Sequence, residues 1–99
     1  MKTIIFARSL YTTWRMYRRN KSGRKFEPEA PYMKELCTRG DTCLHFGASD
    51  GRHSYLLSKI VGPAGTVHAF EPSKYSYGIM CRLIRWHKLG NVHPHNYAI

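Results

Sequence analysis

Between Thr3 and Arg19 apolar side chains recur at helical spacing. Phe6, Leu10, Trp14 and Tyr17 follow i, i+4, i+8 and i+11, with Thr13 on the same face, while Arg8, Arg15 and Arg19 fall opposite and Arg18 lies toward that edge. The pattern predicts an amphipathic basic helix with its apolar side packed on protein. Residues Asn20 to Pro31, NKSGRKFEPEAP, break it with Ser22-Gly23, Pro28 and Pro31. Tyr32 to Cys37 then reads as one or two helical turns with Tyr32, Met33, Leu36 and Cys37 inward.

From Gly40 onward the period changes. Cys43 to Phe46 is a short apolar run led by Thr42, and it ends in the tight stretch Gly47-Ala48-Ser49-Asp50-Gly51. A helix is expected over Arg52 to Ile60, with Tyr55, Leu56 and Ile60 on one side, Leu57 beside them, and Gly62-Pro63 as its stop. A second strand runs from Thr66 to Phe70 and closes at Glu71-Pro72. Ser73 is a natural N-cap for a long helix from Lys74 to about Leu89. Tyr75, Ile79, Leu83 and Trp86 mark the packed face of that helix, and Arg82, Arg85 and Lys88 its basic outer side. Gly78 weakens the interior by about 1 kcal/mol relative to Ala, and Gly90 is the expected left-handed stop. A last strand starts at Val92. Pro94 has no N–H to donate, which argues against a central place for it.

Strand, glycine turn, helix, strand and acidic residue in that order form a nucleotide-binding βαβ unit. Glu71 lies 20 residues after Gly51, the distance at which such units place an acidic residue on ribose hydroxyls, because the crossover helix returns the second strand beside the first. The fold class expected is α/β, Rossmann-like and three-layer, with a partial parallel sheet of about three strands preceded by an N-terminal helix. Residues 1–31 form a basic helix and linker, and residues 32–99 a partial cofactor-binding domain. With 99 residues the chain is short for a complete doubly wound sheet, whose βα pairs take roughly 25 to 30 residues each. A fragment, or a domain completed by self-association or by another chain at its exposed sheet edges, is the expectation.

Charge changes the picture at one end only. The net formal charge is +10, and residues 1–25 hold eight Lys and Arg and no Asp or Glu. Such an arm suits RNA, an anionic membrane surface or an acidic partner, and equally a solvated face. Cys37, Cys43 and Cys81 lack paired spacing and read as buried thiols in a reducing compartment. His93-x-His95 lacks a third ligand, so no metal site is nominated. One of the two is expected inward and one outward. No apolar run approaches membrane-spanning length, and the run Ile4-Ile5-Phe6-Ala7 is too short for a secretion signal, so cytoplasmic residence is the default expectation.

Three stretches carry a family likeness: GDTCLHFGASDG, KIVGPAGTVHAFEPS and LGNV. From about Gly40 to Ile99 the chain resembles the N-terminal half of class I S-adenosylmethionine-dependent methyltransferases. It is most similar to the FkbM type, whose members read G-D-T-V-hydrophobic-D-x-G-A-N-x-G, then V-G-P-x-G, V-x-A-F-E-P and N-V. The resemblance implies that Gly47, Ala48, Ser49 and Gly51 wrap the methionine and ribose portions of S-adenosyl-L-methionine. It further implies that Glu71 accepts bonds from both ribose hydroxyls and that Pro72 and Ser73 lie beside the adenine. His45 stands where the family has an acidic residue that orients the methionine end, and Ser49 where asparagine or glycine is common. A histidine accepts only when neutral. The activity implied is methyl transfer, by analogy to a hydroxyl of a small molecule or sugar. The catalytic residues and the acceptor are not readable. The alternative is an inactive methyltransferase-like fragment serving as a binding or structural partner. A dinucleotide fingerprint fails, because Ser49 and Arg52 occupy two of its three glycine positions, and no Gly-Lys-Ser/Thr follows a glycine loop.

Overall fold

A computed structural model describes residues 2–22, 30–48 and 52–98. Its elements are α1 (Lys2–Ser22), α2 (Ala30–Leu36), β1 (Thr42–Phe46), α3 (Arg52–Val61), β2 (Thr66–Phe70), α4 (Lys74–His87) and β3 (Val92–His95). The strands form one parallel sheet in the order β1-β2-β3. The Rossmann-like reading holds: an N-terminal helix precedes a three-stranded parallel sheet whose strands are joined by α3 and α4.

Alternation along the strands sorts residues to the two faces. Cys43, Val67, Ala69 and Val92 lie beneath Leu57 and Val61 of α3 and Met80 of α4, forming the main core. Both helices thus cover one face, as two successive right-handed crossovers in one direction require. On the other face Leu44 pairs with His68 and His93, and Phe46 with Phe70 and His95. His93 and His95 therefore share a face. A two-residue step returns to the same side of a strand, so the expectation of one inward and one outward histidine is corrected.

The VGPAG segment has two separate steric demands. Gly62 takes φ +68° just past α3. A Cβ on Gly65 would lie 2.4 Å from Val61 Cβ and 2.8 Å from Asp41 O, so the chain can pass there only without a side chain. Asn91 holds the same corner. Its Oδ1 accepts from Ser58 Oγ at 2.6 Å, and its Nδ2 donates to Ser58 O at 3.0 Å and Gly62 O at 2.9 Å. It supplies donors that the C-terminus of α3 lacks and ties β3 to that helix.

Several packed faces differ from expectation. The buried stripe of α1 is Ser9, Thr13, Met16 and Asn20, whereas Trp14 is 46% exposed. Leu10 and Tyr17 are half-buried, and the side chain of Phe6 lies outside those described. The reason is Arg82, which faces α1 rather than solvent: its Nε donates to Thr13 Oγ1 at 3.1 Å and its Nη2 to Ser9 Oγ at 2.7 Å. A hydroxyl-lined helix face satisfies that guanidinium, and Met16 with Ile79 and Leu83 completes the contact. In α2, Met33 and Cys37 pack on the core while Tyr32 and Leu36 are exposed, because a seven-residue helix offers the core one narrow edge. In α4, Ile79, Met80 and Leu83 are buried, and Tyr75 and Trp86, at the two ends of the stripe, are exposed. Ser73 caps α4 as expected, its hydroxyl accepting from Ser76 N at 3.3 Å. The left-handed residue after α4 is Lys88, φ 56°, and not Gly90. Lys88 N donates to Arg85 O and Leu89 N to Ile84 O, a Schellman arrangement that turns Leu89 into the core. Pro94 sits in an edge strand. Asn91 O accepts from Val67 N of β2 and His95 O from Glu71 N just past it, so the missing N–H of Pro94 falls on the open edge.

Candidate functional site

The C-terminal ends of parallel strands are where open α/β sheets hold ligands. Here the ends of β1 and β2 are level, since Phe46 pairs with Phe70. Gly47 follows at φ +68°, and among the described residues a Cβ built on it would meet nothing within 4 Å. The positive φ selects glycine at this point. Ala48 is buried, and its N–H donates to Phe70 O at 2.9 Å, which docks the turn against the residue before Glu71. Ser49 and Gly51 lie outside the described residues.

Glu71 is 8% exposed. Its Oε2 accepts from Ser73 N at 2.9 Å, and its own N–H donates to His95 O at 2.9 Å. The Asn96 amide donates to Glu71 O at 2.9 Å and to Pro72 O at 3.2 Å, so the backbone carrying the carboxylate is clamped by the residue just after β3. Pro72 and Ser73 are exposed beside it. The turn at Gly47, the Glu71 carboxylate and the Pro72-Ser73 corner thus share one end of the sheet. Asn96 escaped the sequence reading. Only strand pairing brings it to Glu71, and its local sequence carries no signal.

His45 lies on the helix-covered side of β1. Its Nδ1 is 3.5 Å from Ser54 Oγ, and its ring centroid is 5.7 Å from that of His53. Burial first, and the neighbouring His53 second, lower its pKa below the ordinary histidine value. It is therefore neutral at physiological pH, with one donor and one acceptor nitrogen. Ser54, itself buried, is a second polar group at this position that the sequence reading passed over because it faces inward from α3.

Three further findings bound the chemistry. Among the described residues no group of three or more His, Cys, Asp or Glu could hold a metal ion, although His68 Nδ1 and His95 Nε2 meet at 3.1 Å on the uncovered sheet face. The cysteines are free thiols, half-buried rather than fully buried. Cys43 Sγ lies 3.5 Å from Cys37 Sγ, and burial, with that contact next, pushes the Cys43 thiol up to about 11, which leaves it un-ionised and unreactive near neutrality. A cleft of about 450 Å³ lined by Arg39, Ser58, Lys59, Gly62, Lys88 and Asn91 opens at the other end of the sheet. Lys59 and Lys88 there stand at helix C-termini, where cations are favoured without any ligand. We therefore place the candidate site at the strand C-termini.

No family model matches the chain, and no curated protein is similar to it. Solved structures are. A SAM-dependent methyltransferase from Aquifex aeolicus superposes with a TM-score of 0.62 at 23% identity, over 78% of this chain and 44% of that one. A SAM-dependent O-methyltransferase from Thermotoga maritima gives 0.64 at 17%, over 82% and 33%. Fibrillarin from Aeropyrum pernix, solved with natively bound S-adenosyl-L-methionine, gives 0.56 at 25%, over 66% and 29%. The fold is that of S-adenosylmethionine-dependent methyltransferases, and the chain spans less than half the length of each of these structures. No helix among the described residues is long and apolar enough to cross a membrane.

Proposed function

We propose that residues 32–99 bind S-adenosyl-L-methionine at the C-terminal ends of β1 and β2, and that the chain is the cofactor half of an FkbM-type methyltransferase. The observation that carries this reading is the level pairing of Phe46 with Phe70, which sets the Gly47 turn beside Glu71. The group fits the residues present. The positive φ of Gly47 lets the backbone turn sharply at the strand end, and a carboxylate at the position of Glu71 is an acceptor suited to a diol. In this reading His45 accepts or donates one hydrogen bond at the methionine end, in place of a carboxylate. When bound, the cofactor supplies an electrophilic methyl group. A hydroxyl of a small molecule or sugar is the acceptor class that the FkbM likeness suggests. It is met by residues of a partner that completes the sheet along its exposed edges.

Isothermal titration of S-adenosylmethionine into the folded 99-residue chain tests the proposal. Saturable binding is expected, weakened roughly 10- to 150-fold in Glu71→Ala, the range corresponding to a charged hydrogen-bond partner. Absence of binding by a chain with native circular dichroism supports the second reading, an inactive methyltransferase-like partner protein. That reading draws on the uncovered sheet face, where Leu44 and Phe46 are 60% and 55% exposed.

A further inference from the structure

The face of α1 turned away from α4 carries Arg8, Tyr11, Trp14, Arg15 and Arg18, all exposed. With the buried stripe at Ser9, Thr13, Met16 and Asn20, the helical period of 3.6 residues puts these five side chains on the opposite side. The aromatic rings are not scattered. Tyr11 and Trp14 are stacked, with centroids 6.1 Å apart and planes 29° apart, and they remain 59% and 46% exposed. A guanidinium lies over each: Arg15 Cζ is 5.9 Å from the Tyr11 centroid and Arg18 Cζ is 5.2 Å from that of Trp14. From Lys2 to Ser22 the helix contains no acidic residue.

We infer that this face binds an unpaired polynucleotide strand, with bases stacking on Tyr11 and Trp14 and phosphates meeting the arginines. Every base has a π-face, and aromatic rings interleaved with arginine are the platform that single strands use without sequence readout. Arg8 to Arg18 span about 15 Å at 1.5 Å per residue, room for a few nucleotides. The sequence here is one-sided in charge as well: residues 1–25 hold eight Lys and Arg and no Asp or Glu. A helix lying in a membrane surface needs a broad apolar face to sink. Here arginines hold three of the five outward positions.

The test uses the full chain and labelled 12-nucleotide oligo(A) as RNA and as DNA, read by fluorescence anisotropy. Phosphatidylserine/phosphatidylcholine vesicles form a third arm. Saturable oligonucleotide binding is expected, steeply weaker with added salt and roughly tenfold or more weaker in Trp14→Ala or Tyr11→Ala. The double change Arg15→Lys/Arg18→Lys, which keeps charge and removes the planar groups, is expected to lower affinity with the salt slope kept. The RNA and DNA arms tell which polynucleotide is preferred. Glu71→Ala leaves this binding unchanged, so its failure and the failure of the cofactor reading are distinguishable. In a Trp86→Phe background the quenching of Trp14 by the oligonucleotide reports the same contact with the face intact, should an alanine variant lose helix. Binding unaffected by either aromatic change and without Trp14 quenching, or binding to vesicles alone, overturns the inference.

Discussion

At the scale of the residue, glycine has opposite meanings at two positions. Gly65 is demanded by Val61 and Asp41, which a Cβ would strike. Gly78 lies within α4, and among the described residues a Cβ there meets only Arg82 Nη1 at 3.9 Å, an ordinary contact. Gly78→Ala is therefore expected to raise stability by about 0.5–1 kcal/mol through helix propensity. Gly65→Ala should cost several times that, since backbone must shift. Urea unfolding midpoints of the two variants should move in opposite directions. Equal losses would mean that α4 is not helical at Gly78. The helical cost of Gly78 was readable from the sequence, since propensity is local. The collision at Gly65 was not, because Val61 and Asp41 arrive from α3 and from the lead-in to β1. The same division holds around Glu71. Its place at the end of an apolar run was plain, whereas the Asn96 clamp depends on β3 closing beside β2.

At the scale of the element, strands and crossover helices were legible because their apolar runs are short and bounded by Gly, Pro or Ser. The packed face of α1 was not, because its partner surface is polar. Hydrophobic spacing finds an apolar stripe, but Arg82 and His87 on α4 require Ser9, Thr13 and Asn20. His87 makes this contact sensitive to pH. Its Nε2 is 3.1 Å from Asn20 Nδ2, an arrangement that needs a neutral ring, and Tyr17 and Tyr55 lie against it. Burial first, then the charges of Lys59 and Lys21, hold its pKa at about 4. A histidine depressed in the folded state binds its proton more readily when unfolded. Its stabilising contribution is whole above the ordinary value near 6.5 and fades as pH falls toward about 4. Solvent screening of a partly exposed group leaves this on the order of 1 kcal/mol. His45, also depressed, acts in the same direction. Urea unfolding at pH 7 and pH 5 should show the loss, and His87→Gln should reduce it. An unchanged pH slope in that variant would remove His87 as the cause.

At the scale of the whole molecule, a parallel sheet is ordinarily covered on both faces, and here the described helices cover one. The other bears Leu44, Phe46 and Tyr97, each more than half exposed. It is partly shielded by a ring layer: Phe46 stacks on Phe70 at 5.3 Å, Phe70 on His95 at 4.7 Å, and His68 on His93 at 5.3 Å. That layer buries Phe70 but leaves the β1 side bare, and among the described residues no strand pairs with the outer edge of β1 or of β3. Apolar surface beside an open strand edge drives association. Sedimentation velocity should therefore show the purified chain associating as its concentration rises, with the double variant Leu44→Lys/Phe46→Lys shifting it toward monomer while far-UV circular dichroism stays unchanged. Strong salt should leave that association intact, because it is apolar, while it weakens oligonucleotide binding at α1. A chain that stays monomeric at all concentrations would mean that the histidine and phenylalanine layer alone makes the face compatible with water.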